Sequence, residues 1–395
     1  MAHTVALKPP VEVQAAPAGY AEPARWFLWA GLLASTSAVV GGHWDISWHR
    51  GIGRDTFWTP AHIAIYLCGI IAGFSGAWVV LSATFGRVRE QASVRIWGFR
   101  GPLGAFLGIW GAVAMLTSAP FDDWWHSAYG LDVKILSPPH TVLAMGLVAI
   151  ELGALVQVLG AMNRAPAAPG NRDRRLLEWM FLYGALMLFL SLQTIIMEHS
   201  FRIFMHQPAF YRTTGLVTML VLPGVALASG RRWASATVAA GYSLFIVALI
   251  LILPLFPAEP KLGPVYQPVT HFIPPQFPQL YIFPALVLDW LLNRHRAMNR
   301  WKLAVLAGGA FLAVYLAVQW PFADFLQSPY ARNWFFGSHY LGYYVRPESF
   351  TARYLFVPTE APAAFLGGLA VALAAVVLAA RVSLGWGEWM RKIQR

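Results

Sequence analysis

Aspartate and histidine recur in two copies of one pattern, and these residue types at this spacing are suited to metal chemistry. The first copy reads Asp-x3-His-x12-His and the second reads Asp-x3-His-x13-His. The six residues are Asp45, His49 and His62, followed by Asp122, His126 and His140. Two imidazoles and one carboxylate are a common set of ligands for copper, iron or zinc. The pattern therefore predicts a set of metal ligands in each copy, and the six side chains together are expected to converge below the outer membrane surface.

Each copy is predicted to lie at a helical hairpin. An aspartate and a histidine four residues apart share one face of a helix, one turn above the other. Gly53 and Gly130 break the first helix of each hairpin, and Pro60 and Pro139 suit the first turn of the next. The turn then returns the last histidine towards the Asp/His pair. The alternative is that Asp, His and Trp decorate helix ends at a membrane surface, a role that does not require this spacing twice.

The composition predicts an integral membrane protein. Of its 395 residues, 57% are hydrophobic and only 12% are charged, and the mean hydropathy is +0.53. A soluble domain carries roughly twice that share of charge. The single cysteine, Cys68, excludes an intrachain disulfide and a thiolate metal cluster. Because the chain is expected to lie in a membrane, we interpret its net charge of +11 as a sign of how the helices are oriented and not of nucleic-acid binding, and we expect no nucleic-acid partner.

Apolar runs long enough to cross a bilayer recur along the chain and predict an all-α, polytopic helical bundle with about ten transmembrane helices. Residues 1–24 are expected to form a disordered cytoplasmic tail. Residues 25–163 are expected to form the four-helix metal-binding repeat. Residues 175–395 are expected to add further transmembrane helices, with an aromatic outer loop over 323–360. The predicted spans are 26–44, 59–83, 103–121, 139–162, 176–197, 214–229, 234–256, 278–293, 303–322 and 361–385.

Charge predicts the orientation of the bundle. Most of the 29 Lys and Arg residues fall on alternate connections, which the positive-inside rule places in the cytoplasm together with both termini. All of the eleven histidines except His3 and His295 then lie on the outer side. We expect a multi-pass protein of a bacterial-type inner membrane, with the metal sets near its periplasmic face.

Six further residues are candidates for accessory roles on polarity and position: Asp123, Glu151, Glu198, His199, His206 and His271. Glu151 falls inside a predicted span, where an acid is costly and usually has a purpose. It either carries protons to or from the metal site or bonds a Ser or Thr on a neighbouring helix. Glu198, Arg202 and His206 are spaced four residues apart and are expected to share one helix face after the fifth span, where ion pairing is the favoured role.

The two motifs resemble those of the C subunit of the copper membrane monooxygenases, the particulate methane and ammonia monooxygenases. That subunit carries Asp-x3-His-x12-His and, one helical hairpin later, Asn-x3-His-x13-His, and it binds copper near the outer side of a helical bundle. The first copy matches in full. In the second copy His126 and His140 match, and Asp122 stands where the family has Asn. The resemblance covers residues 26–160.

The resemblance implies further expectations and also marks departures. The extra carboxylate makes the second set more anionic, which favours two metals or a harder ion such as iron. In the family the C subunit works with A and B subunits, and the B subunit carries periplasmic cupredoxin domains. Nothing in this sequence looks like a cupredoxin. The chain is either a self-contained distant relative or a subunit that needs partners.

The function expected from these features is that of a membrane-embedded, metal-dependent monooxygenase or monooxygenase-like subunit. Copper is the expected cofactor, with iron or zinc as alternatives, and O₂ activation would hydroxylate a small apolar substrate. The expected partners are the lipid bilayer, an electron donor such as a quinol, and other membrane subunits or an oligomer.

Other functions remain open on sequence alone. Metal-ion transport or storage would use the outer residues to capture an ion, with Glu151 deeper on its path. A non-catalytic structural subunit of a membrane oxidoreductase complex would keep an inherited site. A b-type cytochrome is disfavoured, because Gly and Pro separate the paired histidines that would otherwise lie in one long helix.

Overall fold

A computed structural model describes residues 25–53, 56–86, 93–130, 136–168, 170–261, 269–331, 333, 335–336 and 357–394. The expected tail over residues 1–24 and most of the expected aromatic loop over residues 323–360 lie outside these ranges. So do Asp55 and Asp132, which also recur in the two copies.

The described residues form an all-α protein with one small β-hairpin. The ten α-helices are α1 (Trp26–Gly51), α2 (Pro60–Phe85), α3 (Leu103–Tyr129), α4 (Pro138–Arg164), α5 (Arg172–Ile195), α6 (Pro208–Ser229), α7 (Ala234–Ile252), α8 (Ile282–Arg294), α9 (Arg300–Gln327) and α10 (Pro362–Met390). Between α2 and α3, strands β1 (Val94–Ile96) and β2 (Phe99–Gly101) pair antiparallel. The sequence interpretation did not predict this hairpin.

Eight of the described helices are long and apolar enough to cross a membrane, so the chain is a multi-pass membrane protein. The two others are α1 and α8. Helix α8 has 13 residues and is therefore only about 20 Å long. Helix α1 has 26 residues, and its C-terminal half carries Asp45 and His49. Large apolar side chains such as Phe74, Leu244 and Leu366 are exposed on the helix surfaces, as expected of a surface that faces lipid.

Helices α1 to α4 form a four-helix arrangement in which α2 packs on α1 and α3, and α4 packs on α3 and α1. Glycines bring α3 and α4 into close contact. A Cβ on Gly104 would lie 2.2 Å from the carbonyl oxygen of Gly153, and a Cβ on Gly111 would lie 2.5 Å from that of Gly146. Small residues at such crossings let transmembrane helices approach closely. These contacts fix how the two helices that carry the second set sit against each other.

Helices α5 to α10 form the rest of the core. Helix α5 packs on α1 and α4 and also on α6 and α7, while α10 packs on α6 and α9. The buried Asp289 on α8 accepts hydrogen bonds from the backbone N–H groups of Ser235 and Ala236, at 3.1 and 2.9 Å. These groups belong to the first turn of α7, which has no partners for them within its own helix. Asp289 therefore caps α7 from a neighbouring helix.

The close α3–α4 contact predicts opposite effects of one substitution at two glycines. Gly146→Ala is expected to lower the free energy of unfolding by about 1–3 kcal/mol, because its Cβ would overlap backbone atoms of Gly111 and Met115. Gly309→Ala in α9 is the control, since no atom lies within 4 Å of a Cβ there. It is expected to raise stability by up to about 1 kcal/mol. Thermal unfolding in detergent measures both, and equal stability of the two variants would contradict the contact.

Candidate metal centre

The second hairpin is built by a helix stop and a capped helix start. Helix α3 ends at Tyr129, and Gly130 follows with φ 87° and ψ −174°, backbone angles that are open to glycine but strained for other residues. Its N–H donates to the carbonyl of His126 at 3.0 Å. Ser137 caps α4 by accepting a hydrogen bond from the N–H of His140. Asp122 and His126 therefore occupy the last two turns of α3, while His140 is the third residue of α4.

This hairpin brings the three side chains of the second copy together. Oδ1 of Asp122 lies 3.3 Å from Nε2 of His126 and 3.4 Å from Nε2 of His140. One ligand atom from each residue lies within 4.8 Å of the others. Their side chains are only 20–30% exposed. Among the described residues, this is the one group of three or more His, Cys, Asp or Glu residues that meets such spacing.

The distances suit common ligands of one ion better than hydrogen bonds. A hydrogen bond between a charged imidazole and a carboxylate is about 2.7–2.9 Å long. Ligand atoms that each lie about 2.0 Å from a tetrahedral metal ion are about 3.3 Å apart. The two separations at Asp122 match the second value. One carboxylate and two neutral imidazoles also leave a negative charge, which favours a divalent cation.

The first hairpin repeats this construction with a looser set. His49 and Asp45 lie on the last two turns of α1, and His62 is the third residue of α2. Nε2 of His62 is 3.3 Å from Oδ1 of Asp45, whereas Nε2 of His49 is 3.7 Å from Oδ2. The two histidines thus approach different oxygens of one carboxylate, and the three residues do not form a compact group like that of the second copy.

A buried oxygen of the first set supports the fit of a cation there. Oδ1 of Asp45 is buried, and no hydrogen-bond partner reaches it in the ranges that the structure describes. His62 is near it but outside hydrogen-bond geometry. A buried carboxylate oxygen without such a partner is costly unless a cation offsets the loss. The residues of both copies therefore fit a divalent metal ion, and the second set is the more compact.

The Pro-rich segment after residue 270 lies against the end of α1. Ser47 donates to the carbonyl of Ile273 at 2.7 Å, and Arg50 donates to that of Pro274 at 2.9 Å. A single β-bridge joins Pro257 to His271. The segment therefore packs beside the first set. His271 itself contacts the carbonyl of Phe272 through Nδ1, at 3.0 Å.

Apart from Glu151, the remaining accessory candidates are Asp123, Glu198, His199 and His206. Asp123 is exposed, one residue along α3 from the second set. Glu198 and His199 lie in a short 3₁₀ helix, Met197–His199, which is separate from the next one, Arg202–Phe204. The continuous helix that would place Glu198 and His206 on one face is therefore not formed. His206 instead lies 3.0 Å from Oδ1 of Asp324 on α9.

Glu151 is fully buried inside α4, and the structure gives it a partner. Ser191 on α5 donates a hydrogen bond to its Oε1 at 2.6 Å. Within the described part of the chain, its Oε2 has no hydrogen-bond partner. The sequence did not single out Ser191, although a serine inside an apolar run is the signal that would have found it. One half of this carboxyl group is thus used for helix packing.

Comparisons with family models, with curated proteins and with solved structures give no match to this chain. The resemblance to copper membrane monooxygenases therefore stays a prediction, and it rests on five matching residues, Asp45, His49, His62, His126 and His140, and on their spacing.

The geometry predicts which histidines hold metal. His126→Ala and His140→Ala are each expected to weaken copper or zinc binding at the second set at least tenfold, because two ligand atoms cannot replace three. Metal retained after dialysis, measured by mass spectrometry of the elements, reports the loss. His199→Ala removes an exposed histidine from outside the sets and is the matched control. Full metal retention in both site variants would show that the ligand assignment is wrong.

Proposed function

We propose that this chain is a membrane-embedded, metal-dependent monooxygenase, or the metal-holding subunit of one. The single observation that carries the proposal is the compact group of Asp122, His126 and His140, with separations of 3.3 and 3.4 Å at the carboxylate oxygen. Copper is the proposed ion, with iron as the alternative for this chemistry, whereas zinc has no redox chemistry and would suit only metal storage or transport. A bound copper or iron ion would supply the redox chemistry that activates dioxygen.

The residues of this chain would hold the ion and leave it accessible. Three protein ligands leave coordination positions open, as in catalytic rather than structural metal sites. His140 is 30% exposed, so small molecules can reach the group. The first set would hold a second ion less tightly, because the separation of His49 and Asp45, 3.7 Å, is the longest of the four Asp–His separations in the two sets.

The surroundings of the second set favour an apolar substrate. Phe121 stacks on Trp124, and the rings of Trp125 and Tyr129 are 4.5 Å apart. Trp124, Tyr129 and, on α4, Met145 are more than half exposed. Aromatic rings of this kind are typical of the boundary between lipid and water. An apolar molecule dissolved in the bilayer would therefore meet the metal group from the lipid side.

The proposed topology places ten spans in a bacterial inner membrane, with both termini cytoplasmic and both metal sets near the periplasmic face. This topology is supported by the arginines, which are concentrated at the helix ends opposite to the metal sets, where the positive-inside rule places the cytoplasm. Arg164 and Arg174 lie at the end of α4 and the start of α5, the ends away from the second set. Electrons would come from a quinol or another donor, and other membrane subunits or an oligomer would complete the enzyme.

Metal transport or storage is the second candidate, and one observation favours it. Glu151 lies eleven residues past His140 on the same helix, and its buried Oε2 has no hydrogen-bond partner among the described residues. Further along, however, the acids have structural partners. Arg231 donates to Glu178 at 3.0 Å, and Asp289 caps α7. Because Glu178 and Asp289 already have structural partners, they do not extend a row of ligands beyond Glu151, which favours a closed site.

Product formation tests the proposed enzyme. Protein loaded with copper and supplied with a quinol and O₂ in lipid nanodiscs is expected to hydroxylate a short alkane. His126→Ala and His140→Ala should lower the rate at least a hundredfold if one metal group carries the reaction, and His199→Ala should leave it unchanged. Equal rates in the site variants and the wild type would contradict the proposal.

A flux assay separates the two candidates. In metal-loaded vesicles the wild type is expected to retain its bound ion and to show no transmembrane metal flux. Glu151→Gln should leave the metal content unchanged, because Glu151 belongs to neither set. If the wild type instead carries metal across the bilayer, and Glu151→Gln stops that flux, the transport function replaces the oxygenase.

A further inference from the structure

The β-hairpin between α2 and α3 presents two arginines on one face. In the register of β1 and β2, Arg95 stands directly opposite Arg100. Directly opposed residues of an antiparallel pair project from the same side of the sheet. Both are exposed. In the part of the chain that the structure describes, neither guanidinium group forms an ion pair or a hydrogen bond.

The other face of the hairpin is fixed to the bundle. Val94 and Ile96 pack against the apolar cluster of Val79, Val80, Ala105 and Phe106. Thr84, near the end of α2, accepts a hydrogen bond from the N–H of Arg100 at 2.8 Å and donates to its carbonyl at 3.1 Å. The hairpin is thus held in one orientation, with its arginines pointing outward. Two like charges placed opposite each other destabilise a strand pair, so the arrangement suits an anion between them.

Trp97 occupies a position of the turn that does not favour it. Both turn residues have positive φ, 49° for Trp97 and 89° for Gly98. Such a turn favours Asn-Gly or Gly-Gly, and a bulky residue with positive φ is uncommon. The Trp97 side chain is 86% exposed, so burial does not offset this strain. A strained backbone conformation that side-chain packing does not offset is a feature expected of functional positions.

The position of the Trp97 ring indicates what surrounds it. Its centroid is 6.1 Å from that of Trp110, the eighth residue of α3, which lies about 10 Å along that helix from its start. Since α3 is one of the apolar helices that can span the membrane, the ring reaches alongside its lipid-facing side. Phe85 is also strongly exposed nearby. The hairpin stands at the ends of α2 and α3 that are opposite to the metal sets.

We infer that this hairpin binds the phosphate of an anionic phospholipid between Arg95 and Arg100, with the Trp97 ring in the adjoining boundary of the acyl chains. Guanidinium groups bind phosphate oxygens in a bidentate manner. Tryptophan prefers the membrane boundary because its ring is apolar and its N–H is polar. The inference depends on the membrane-spanning helices and not on the metal chemistry.

Native mass spectrometry of the full chain in non-ionic detergent, titrated with phosphatidylglycerol or phosphatidylcholine, tests the site. The variant Arg95→Gln/Arg100→Gln is expected to bind the first phosphatidylglycerol about 10- to 30-fold more weakly than the wild type. Its binding of phosphatidylcholine should be unchanged. The control Arg172→Gln/Arg175→Gln removes two exposed arginines from the start of α5, at the same end of the bundle, and should bind like the wild type.

Three results would overturn the inference. The first is that the hairpin variant binds phosphatidylglycerol as well as the wild type does, and the second is that the control variant loses as much phosphatidylglycerol affinity as the hairpin variant. The third is that millimolar inorganic phosphate displaces the lipid, which would indicate a site for free anions. The helical signal in circular dichroism shows whether each variant is folded. If the glutamine variant does not fold, Arg95→Lys/Arg100→Lys takes its place, with a few-fold loss expected because lysine cannot bind in a bidentate manner.

Trp97→Asn separates a lipid contact from a structural role. Asparagine suits this turn, so the variant is expected to unfold at a higher temperature than the wild type when no anionic lipid is present. Its further stabilisation by phosphatidylglycerol should be smaller than that of the wild type. A lower unfolding temperature together with unchanged stabilisation by lipid would show that Trp97 serves the fold alone.

Discussion

The positions of all six metal-ligand candidates depend on two helix reversals at one end of the bundle. In each, a helix stops one turn after an Asp/His pair and the next helix starts two residues before a histidine. The connection between them is eight residues long in both hairpins, residues 52–59 and 130–137. Reversal of the chain direction between α3 and α4 is what allows residues 14 positions apart, His126 and His140, to face the same carboxylate oxygen. If either hairpin opened, the histidine at the start of the second helix would move away from the Asp/His pair at the end of the first helix.

The bilayer limits what the other polar residues can do. Buried polar groups in lipid must be satisfied inside the protein, and most of those described here are. Asp289 caps α7, Ser191 binds Glu151, and Glu178 pairs with Arg231. Against this background the Asp/His sets differ, because their separations are longer than those of good hydrogen bonds and Oδ1 of Asp45 has no such partner within the described ranges. These separations are the structural basis of the proposed metal ion.

The features that residue spacing predicts are local. Four-residue spacing on a helix, glycine at a helix end and proline at a helix start are sufficient to place Asp122, His126 and His140 in one hairpin. The membrane-spanning helices follow in the same way from apolar length. Helix α8 is shorter than its apolar run because the residues before Ile282 are rich in proline and do not form helix.

The features that spacing does not predict depend on contacts distant in the chain or on fine geometry. His206 pairs with Asp324, 118 residues away, and nothing in the sequence links them. The β-hairpin has strands of three residues each, too short to give a clear alternation. In the first set, the Asp45 carboxylate lies 3.3 Å from His62 but 3.7 Å from His49. Such a difference reflects side-chain packing at the end of α1 and has no signature in residue spacing.

X-ray absorption at the metal edge is the most direct test of the central claim, that one ion is shared by side chains of α3 and α4. Protein loaded with less than one copper per chain should show two imidazole nitrogens and at least one oxygen at about 2.0 Å, the distance typical of such ligands. The double variant His126→Ala/His140→Ala should lose the imidazole signal. A spectrum of oxygen scatterers alone, or one that is the same in the double variant, would contradict the account.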